Sequence, residues 1–124
     1  MAAELHVELV AADRSVWSGE ATLVVARTMS GDIGVMPNHQ PVLGVLESGP
    51  VTIRTSDGGT VIAAVHGGFM SFADNKMSLL AETAELADEI DVQREERDLE
   101  RAKAAGDASA ERRASVRLRA AAAR

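Results

Sequence analysis

The side chains best suited to acid–base or metal chemistry are three histidines, and they lie far apart in the chain. His6, His39 and His66 lack the short spacings that place two imidazoles together as metal ligands. Asp32 and His39 enclose a stretch with glycine and proline, where a carboxylate and an imidazole could act as a general acid–base pair. A turn carboxylate and a solvated loop histidine explain the same residues more simply. We therefore predict no catalytic residue and no metal site.

The glycines also provide no motif for phosphate binding or nucleophilic catalysis. Neither a glycine-rich loop ahead of a helix nor a nucleophile elbow occurs in the sequence. Gly67 and Gly68, in an apolar stretch before Phe69, predict a β-bulge or a place where a second backbone comes close. Because the chain has no cysteine, disulfides and thiolate chemistry are excluded.

The elements that position these residues change in character near residue 81. Residues 1–80 contain all three prolines and nine of the ten glycines, with short apolar runs between turn residues. Apolar and polar residues alternate over residues 5–10, which is typical of a half-buried strand. The residues at 56–59, SDGG, are typical of a hairpin turn. Turns at 18–19 and 66–67 are predicted to end other strands. About eight or nine such strands, with no helix between them, predict a β-sandwich or flattened barrel.

The remaining residues, 81–124, read as two helices. They contain no proline or aromatic residue, one glycine and thirteen alanines. A first helix is predicted over about 88–105, with Gly106 as its C-cap and Asp107 or Ser109 as the N-cap of a second helix. Large apolar residues are few, so we expect this hairpin to be marginally stable and to move or depend on a partner.

Charge supports a division into a sandwich domain, 1–84, and a helix-turn-helix domain, 85–124. A net charge of −6 argues against a general nucleic-acid binder. Residues 82–100 carry a net charge of −7 and residues 101–124 of +5. Solvated helix surface is the simplest interpretation, although a hairpin would also pair the acidic arm with the basic arm. No apolar stretch approaches the roughly 20 residues that span a bilayer, so we expect no direct membrane insertion and no signal peptide.

Several stretches resemble the epsilon subunits of bacterial F-type ATP synthases. They are residues 31–41 (GDIGVMPNHQP), 65–69 (VHGGF) and 79–85 (LLAETAE), preceded by LHVELV at 5–10 and WSG at 17–19. Their order along the chain and the helical tail agree with that family. The resemblance implies a β-sandwich of about ten strands followed by a C-terminal α-helical hairpin.

The same resemblance implies a non-catalytic rotor subunit of the central stalk, at the cytoplasmic face of the bacterial plasma membrane. Such a subunit binds the gamma subunit, rests on the c-ring and couples proton translocation to ATP synthesis. Phe69 would lie at or near the gamma-facing side. The implied c-ring contacts are Asp32, Asn38, His39 and Gln40.

In that family the helical tail regulates ATP hydrolysis. Docked on the sandwich it permits hydrolysis, and extended along gamma toward the alpha/beta catalytic head it inhibits it. Some members bind regulatory ATP in the docked hairpin through an I/L-D-x-x-R-A-x-x-A-x-x-R pattern. The residues that match here are Ile90, Asp91, Arg94 and Arg101.

Glu95 and Asp98 stand where that pattern has alanines, and two carboxylates beside a triphosphate are electrostatically unfavourable. A surface ion pair between Asp91 and Arg94 is therefore the favoured interpretation, and we expect no cofactor. Two other functions remain open from the residues. One is a β-sandwich adaptor with a mobile helical arm, unrelated to a rotary ATPase. The other is a small cupin-like enzyme, which would need a histidine and glutamate metal cluster.

Overall fold

The computed structural model describes residues 3–123, which form seven strands followed by two helices. The strands are β1 (Leu5–Ala11), β2 (Ser15–Thr28), β3 (Gly31–Val35), β4 (Val42–Leu46), β5 (Gly49–Thr55), β6 (Thr60–Ala73) and β7 (Lys76–Leu86). A short 3₁₀ turn at Ala87–Glu89 leads to α1 (Val92–Ala105) and α2 (Ala108–Ala123). The predicted β fold with a helical hairpin at its end is confirmed.

Two long strands, β2 and β6, join the parts of the sandwich because each changes partner along its length. The first half of β2 pairs with β1, and its second half pairs with β3 and β5. One edge of β6 pairs with β5 and then β4, while its other edge follows β7. β7 lies between β6, which is antiparallel to it, and β1, which is parallel to it.

The strands are fewer and longer than the sequence predicts, because the turns expected at 18–19 and 66–67 are absent from the described chain. Both places lie inside a strand of 14 residues. Gly67 and Gly68 have positive φ angles of 76° and 127°, yet the β6–β7 register is the same on either side of them. A Cβ atom on Gly68 would lie 2.0 Å from the Leu80 carbonyl oxygen. The close approach of two backbones is therefore the correct interpretation of this glycine pair.

The core consists of alternate apolar side chains from the facing strands. Leu5, Val7 and Leu9 are fully buried, as the alternation in β1 predicts. The largest side chain in the core is Phe72, and the rest are leucine, isoleucine, valine and methionine. Each such side chain stabilises the fold by about 1.5–3 kcal/mol when it is buried completely.

The helical hairpin is docked on the sandwich through α2, which packs on β5 and β6. Helix α1 packs chiefly on α2. A small buried cluster forms the apolar part of the contact; its members are Ile62, Ala64, Ala87, Val116 and Ala120, with Ile90 at its edge. The charged tail is therefore folded back on the body, with α2 between α1 and the sandwich.

The ends of the helices are fixed by local hydrogen bonds. The first helix begins at Val92, not near residue 88, because residues 87–89 form a separate turn and Ile90 is extended. Asp91 is its N-cap, and Gly106, with φ 68°, is its C-cap as predicted. Asp107, and not Ser109, caps α2, since its Oδ1 accepts a hydrogen bond of 3.1 Å from the Ala110 N–H.

Candidate functional site: protein-binding surfaces

An apolar surface on the outside of β4, β6 and β7 is the clearest candidate for binding another protein. Val45 is directly opposite Phe69, and Phe69 is directly opposite Leu80. These side chains form a row across three strands and are 43%, 57% and 53% exposed. Scattered exposed apolar residues are common, but a contiguous group of large ones indicates an interaction site.

Two further exposed side chains extend this row. Leu43 is two residues before Val45 and so points to the same side of β4. Met29 lies next to β4, because the Met29 N–H donates a hydrogen bond of 3.0 Å to the Val45 carbonyl. A groove of about 460 Å³ runs between Met29, Leu43, Val45 and Phe69. We call Met29, Leu43, Val45, Phe69 and Leu80 the apolar face.

The glycine pair before Phe69 holds this face in shape. Because Gly68 has no side chain, β6 can approach the Leu80 carbonyl more closely than any other residue would allow. The next residue, Phe69, then stands beside Leu80 on the outer side, while Met70 and Phe72 point into the core. The sequence places Phe69 at a partner-facing side only through the family resemblance. The other members of the face come from separate strands, so the strand register is needed to find them.

A second candidate surface is the polar loop 36–41 between β3 and β4. The Asn38 N–H donates to Asn75 Oδ1 at 2.6 Å, and Asn75 Nδ2 donates to Asn38 Oδ1 at 3.1 Å. This reciprocal pair ties the loop to the β6–β7 turn. Asn38 itself has φ 69°, and the His39 N–H donates to the Met36 carbonyl at 3.1 Å. The loop is therefore held in one shape before any partner binds.

Three of the four residues implied to contact the c-ring share this loop. Asn38 and Gln40 are exposed, and His39 is half-buried with its ring edge-on to Phe72, 6.1 Å between centroids. His39 Nδ1 lies 2.7 Å from the Gln40 carbonyl oxygen. Asp32 is exposed in β3, where its Oδ1 accepts a 3.1 Å hydrogen bond from Arg27 Nε. The residues considered as an acid–base pair, Asp32 and His39, thus have different partners.

Another histidine lies between two carboxylates on β1 and β2. His6 Nε2 is 2.8 Å from Glu8 Oε1, and His6 Nδ1 is 3.1 Å from Glu20 Oε1. Hydrogen bonds to Glu8 and then Glu20 raise the pKa of His6. In the part of the chain that the structure describes, no group of three or more metal-ligating side chains could hold a metal ion.

A partly buried group of four polar side chains joins the sandwich to both helices, and no short-range sequence pattern marks it. Glu85 of β7 accepts hydrogen bonds from His66 of β6, at 3.1 Å, and from Arg117 of α2. Arg117 Nη1 also lies 3.5 Å from Glu95 Oε2 of α1. We call these four residues the Arg117 cluster. Burial alone raises the pKa of Glu85, but the hydrogen bonds from His66 and Arg117 outweigh it and lower that pKa.

The residues that match the ATP-binding pattern do not form one pocket. The Asp91 carboxylate accepts a hydrogen bond from the Arg94 backbone N–H at 3.1 Å, so it caps α1. The Arg94 guanidinium instead faces Asp98 at 3.9 Å, which corrects the predicted Asp91–Arg94 side-chain pair. Arg101 also faces Asp98, at 3.8 Å, and lines a cavity of about 350 Å³ between the helices. Asp98 therefore offsets part of the positive charge of the two arginines that would hold a triphosphate.

The sandwich with its apolar face, preformed loop and docked hairpin defines a protein-binding module. Residues 4–87 match the family described as ATP synthase, Delta/Epsilon chain, beta-sandwich domain. An ATP synthase epsilon chain from Streptomyces avermitilis is 86% identical over 124 residues, with all of both chains covered. Another from Rhodococcus jostii is 58% identical over 92 residues, which are 73% of this chain and 75% of the relative. The chain belongs to the family of ATP synthase epsilon chains.

A solved structure supports the fold independently. A chain in the Euglena gracilis mitochondrial ATP synthase, described as OSCP/F1/c-ring in rotational state 1, superimposes with a TM-score of 0.74 at 21% identity. The match covers 94% of this chain and 76% of that one. The family match over residues 4–87 and the full-length relative confirm the predicted family, so the adaptor unrelated to a rotary ATPase and the cupin-like enzyme are both wrong. Among the described residues, no helix is long and apolar enough to cross a membrane.

Proposed function

We propose that this chain is a rotor subunit of an F-type ATP synthase, in the central stalk, where it couples proton translocation through the c-ring to ATP synthesis. The observation that carries the proposal is the 86% identity to an ATP synthase epsilon chain over the whole length of both proteins. The role is mechanical and regulatory, without catalysis. Its place is peripheral, at the cytoplasmic face of the bacterial plasma membrane.

The apolar face is the surface for the gamma subunit. It displays Phe69 at its centre, with Val45 and Leu80 on either side in the same row. Covering such a row with another protein removes several large apolar side chains from water, and one central aromatic residue often carries much of the binding energy. The sheet beneath is rigid, so few side chains lose freedom when gamma binds.

The loop 36–41, together with Asp32, is the contact for the c-ring. Asn38, His39 and Gln40 offer polar groups that suit the polar ends of membrane-embedded hairpins. The reciprocal bonds between Asn38 and Asn75 fix the loop in advance. Docking it therefore loses little conformational entropy, which suits a joint that transmits torque.

The helical hairpin restrains ATP hydrolysis when it leaves the sandwich and reaches the alpha/beta catalytic head. The basic second helix would meet acidic surfaces there, whereas the acidic first helix would be repelled. ATP binding in the docked hairpin is electrostatically disfavoured, because the Asp98 carboxylate lies beside both Arg94 and Arg101. We assign the hairpin no nucleotide.

Reconstitution tests this function. The full chain should bind purified gamma subunit and, with it, restore proton-coupled ATP synthesis to a complex depleted of its epsilon subunit. A chain shortened to residues 1–86 should still bind gamma but leave ATP hydrolysis higher than the full chain does. Failure to bind gamma would contradict the rotor assignment. Equal hydrolysis with both chains would contradict only the inhibitory role of the hairpin.

A further inference from the structure

The apolar contact between the hairpin and the sandwich is small and contains few large side chains. Three of its five buried members are alanines, Ala64, Ala87 and Ala120. An alanine buries a single methyl group, so the hydrophobic contribution rests mainly on Ile62 and Val116. A polar interaction beside so small a contact can therefore have a large influence on docking.

The Arg117 cluster lies directly beside this contact, since Arg117 follows the buried Val116 in α2. The side chains of Arg117, Glu85 and Glu95 are only 25%, 23% and 11% exposed. Charges shielded from water to this degree attract more strongly than surface charges do. Removing one partner leaves the others desolvated without compensation, which is strongly destabilising.

Each partner of Arg117 belongs to a different layer of the molecule. Glu85 is in β7 of the sandwich, and Glu95 is in α1, which packs chiefly on α2. A single guanidinium thus connects the sandwich to α2 and α2 to α1. Glu85 keeps a partner within the sandwich, because His66 Nε2 lies 3.1 Å from its second oxygen. Undocking therefore deprives Arg117 of Glu85 but does not leave Glu85 alone.

The ion pair between Arg14 of the body and Glu89 of the tail is of a different kind. Arg14, in the β1–β2 turn, contacts Glu89 of the 3₁₀ turn at 3.2 Å, and both side chains are more than two-fifths exposed. Exposed pairs of this type contribute little to stability. Glu89 also lies before α1, so this pair holds the segment between β7 and α1 on the sandwich and does not hold the helices themselves.

We propose that Arg117 is the residue that holds the hairpin on the sandwich, by sharing its guanidinium between Glu85 and Glu95 so that both helices dock and leave as one unit. The inference goes beyond the proposed rotor function and does not depend on it. It concerns the isolated chain, in which no gamma subunit or catalytic head is needed.

The distance between α2 and the sandwich tests this proposal in the full-length chain. The sequence has no cysteine, so Ser56→Cys and Arg119→Cys introduce two unique sites for spin labels. Both positions are exposed, one in the β5–β6 turn and one in α2. Pulsed electron spin resonance then gives the fraction of molecules with a docked hairpin. We expect Arg117→Gln to raise the undocked fraction about tenfold, equivalent to about 1.4 kcal/mol.

Arg113→Gln is the matched control, because Arg113 lies one turn earlier in α2 and donates to Ser109 Oγ within the same helix at 2.7 Å. It should leave the docked fraction unchanged. Trp17 fluorescence and helix content by circular dichroism should remain those of the wild-type chain in both variants. An undocked fraction for Arg117→Gln equal to that of Arg113→Gln would overturn the proposal.

Sharing of Arg117 is tested by combining variants. Glu85→Gln should raise the undocked fraction, and it should raise it little further when Arg117→Gln is already present. The Arg117–Glu95 contact lies within the hairpin and is kept when both helices leave together, so Glu95→Gln should raise the undocked fraction much less than Glu85→Gln does. An effect of Glu95→Gln as large as that of Glu85→Gln would show that this contact breaks when α2 leaves the sandwich. In that case the helices would not behave as one unit, and the proposal in this form would be wrong.

Discussion

The sandwich and the hairpin are stabilised by different means, and the difference separates a rigid body from a detachable arm. The sandwich buries large apolar side chains such as Phe72, Leu5 and Ile53, which are at most 1% exposed. The hairpin buries mainly alanines against the sandwich, together with the Arg117 cluster. Dense apolar packing gives one well-defined structure. A contact based on a few charges can be broken by changing those charges alone, without disturbing the core.

The largest expected effect comes from breaking the sandwich itself. Phe72→Ala removes the largest fully buried side chain and should lower the free energy of unfolding by about 3–5 kcal/mol, since a cavity is left in the core. Urea unfolding followed by Trp17 fluorescence measures this change. Ser71→Ala, at the exposed neighbouring position, should change the free energy by less than about 0.5 kcal/mol. Equal effects of the two substitutions would contradict the packing described here.

A substitution on the apolar face should affect binding and leave the sandwich stable. Phe69→Ala should weaken binding to purified gamma subunit by about 2 kcal/mol or more, roughly 30-fold, because it removes the central aromatic side chain of the face. Its unfolding transition should match that of the wild-type chain. Val92→Ala, at an exposed apolar position on α1, is the control and should bind gamma normally. Unchanged affinity of Phe69→Ala, measured by calorimetry, would place the gamma interface elsewhere.

Acid should release the hairpin before it unfolds the sandwich. The pKa of Glu85 is lowered in the docked structure, so its contribution is fully present above its ordinary pKa of 4.5 and is lost as the pH falls through the lower value. The contribution of Glu85 to docking should therefore be lost, and the docked fraction should fall, as the pH drops below about 4.5. The spin-label distance measures it. In Glu85→Gln the fall in the docked fraction at low pH should be much smaller. An unchanged fall in this variant would show that another carboxylate is responsible.

The smallest expected effect is that of ATP. Asp98 faces Arg94 and Arg101, and Arg117 is engaged by Glu85 and Glu95, so these three arginines of the hairpin each have a carboxylate partner that competes with a triphosphate. ATP at a few millimolar should change the docked fraction by less than about twofold, or 0.4 kcal/mol. Asp98→Ala removes the opposing carboxylate and should increase the response. A strong response of the wild-type chain would show that the family's nucleotide site is retained.

Local patterns predict much of the sandwich and of the hairpin. Alternation in Leu5, Val7 and Leu9 correctly indicates a half-buried strand, and Gly106 correctly marks the end of a helix. Gly67 misleads, because positive φ is equally typical of a turn and of a distortion within a strand. The residues on both sides of Gly67 pair with β7, which shows that Gly67 lies within a strand and not in a turn. This pairing involves residues distant in the sequence, so a short stretch around Gly67 does not reveal it.

The candidate surfaces were predictable only where their residues are consecutive. Asn38, His39 and Gln40 are neighbours in sequence, so the loop 36–41 could be found directly. Val45, Phe69 and Leu80 are far apart, and only the register of β4, β6 and β7 places them in one row. Glu85 and Arg117 are 32 residues apart, and their contact depends on how α2 packs. The resemblance to ATP synthase epsilon chains supplied what spacing could not.

The position of β7 between β1 and β6 has a mechanical consequence. The tail leaves the sandwich directly from the end of β7. The last residues of β7, 83–86, pair with β6 alone, whereas residues 76–81 pair with both β1 and β6. A pull on the helices along the strand direction therefore loads the β6 ladder first, and the pairing with β1 anchors the strand deeper in the sheet.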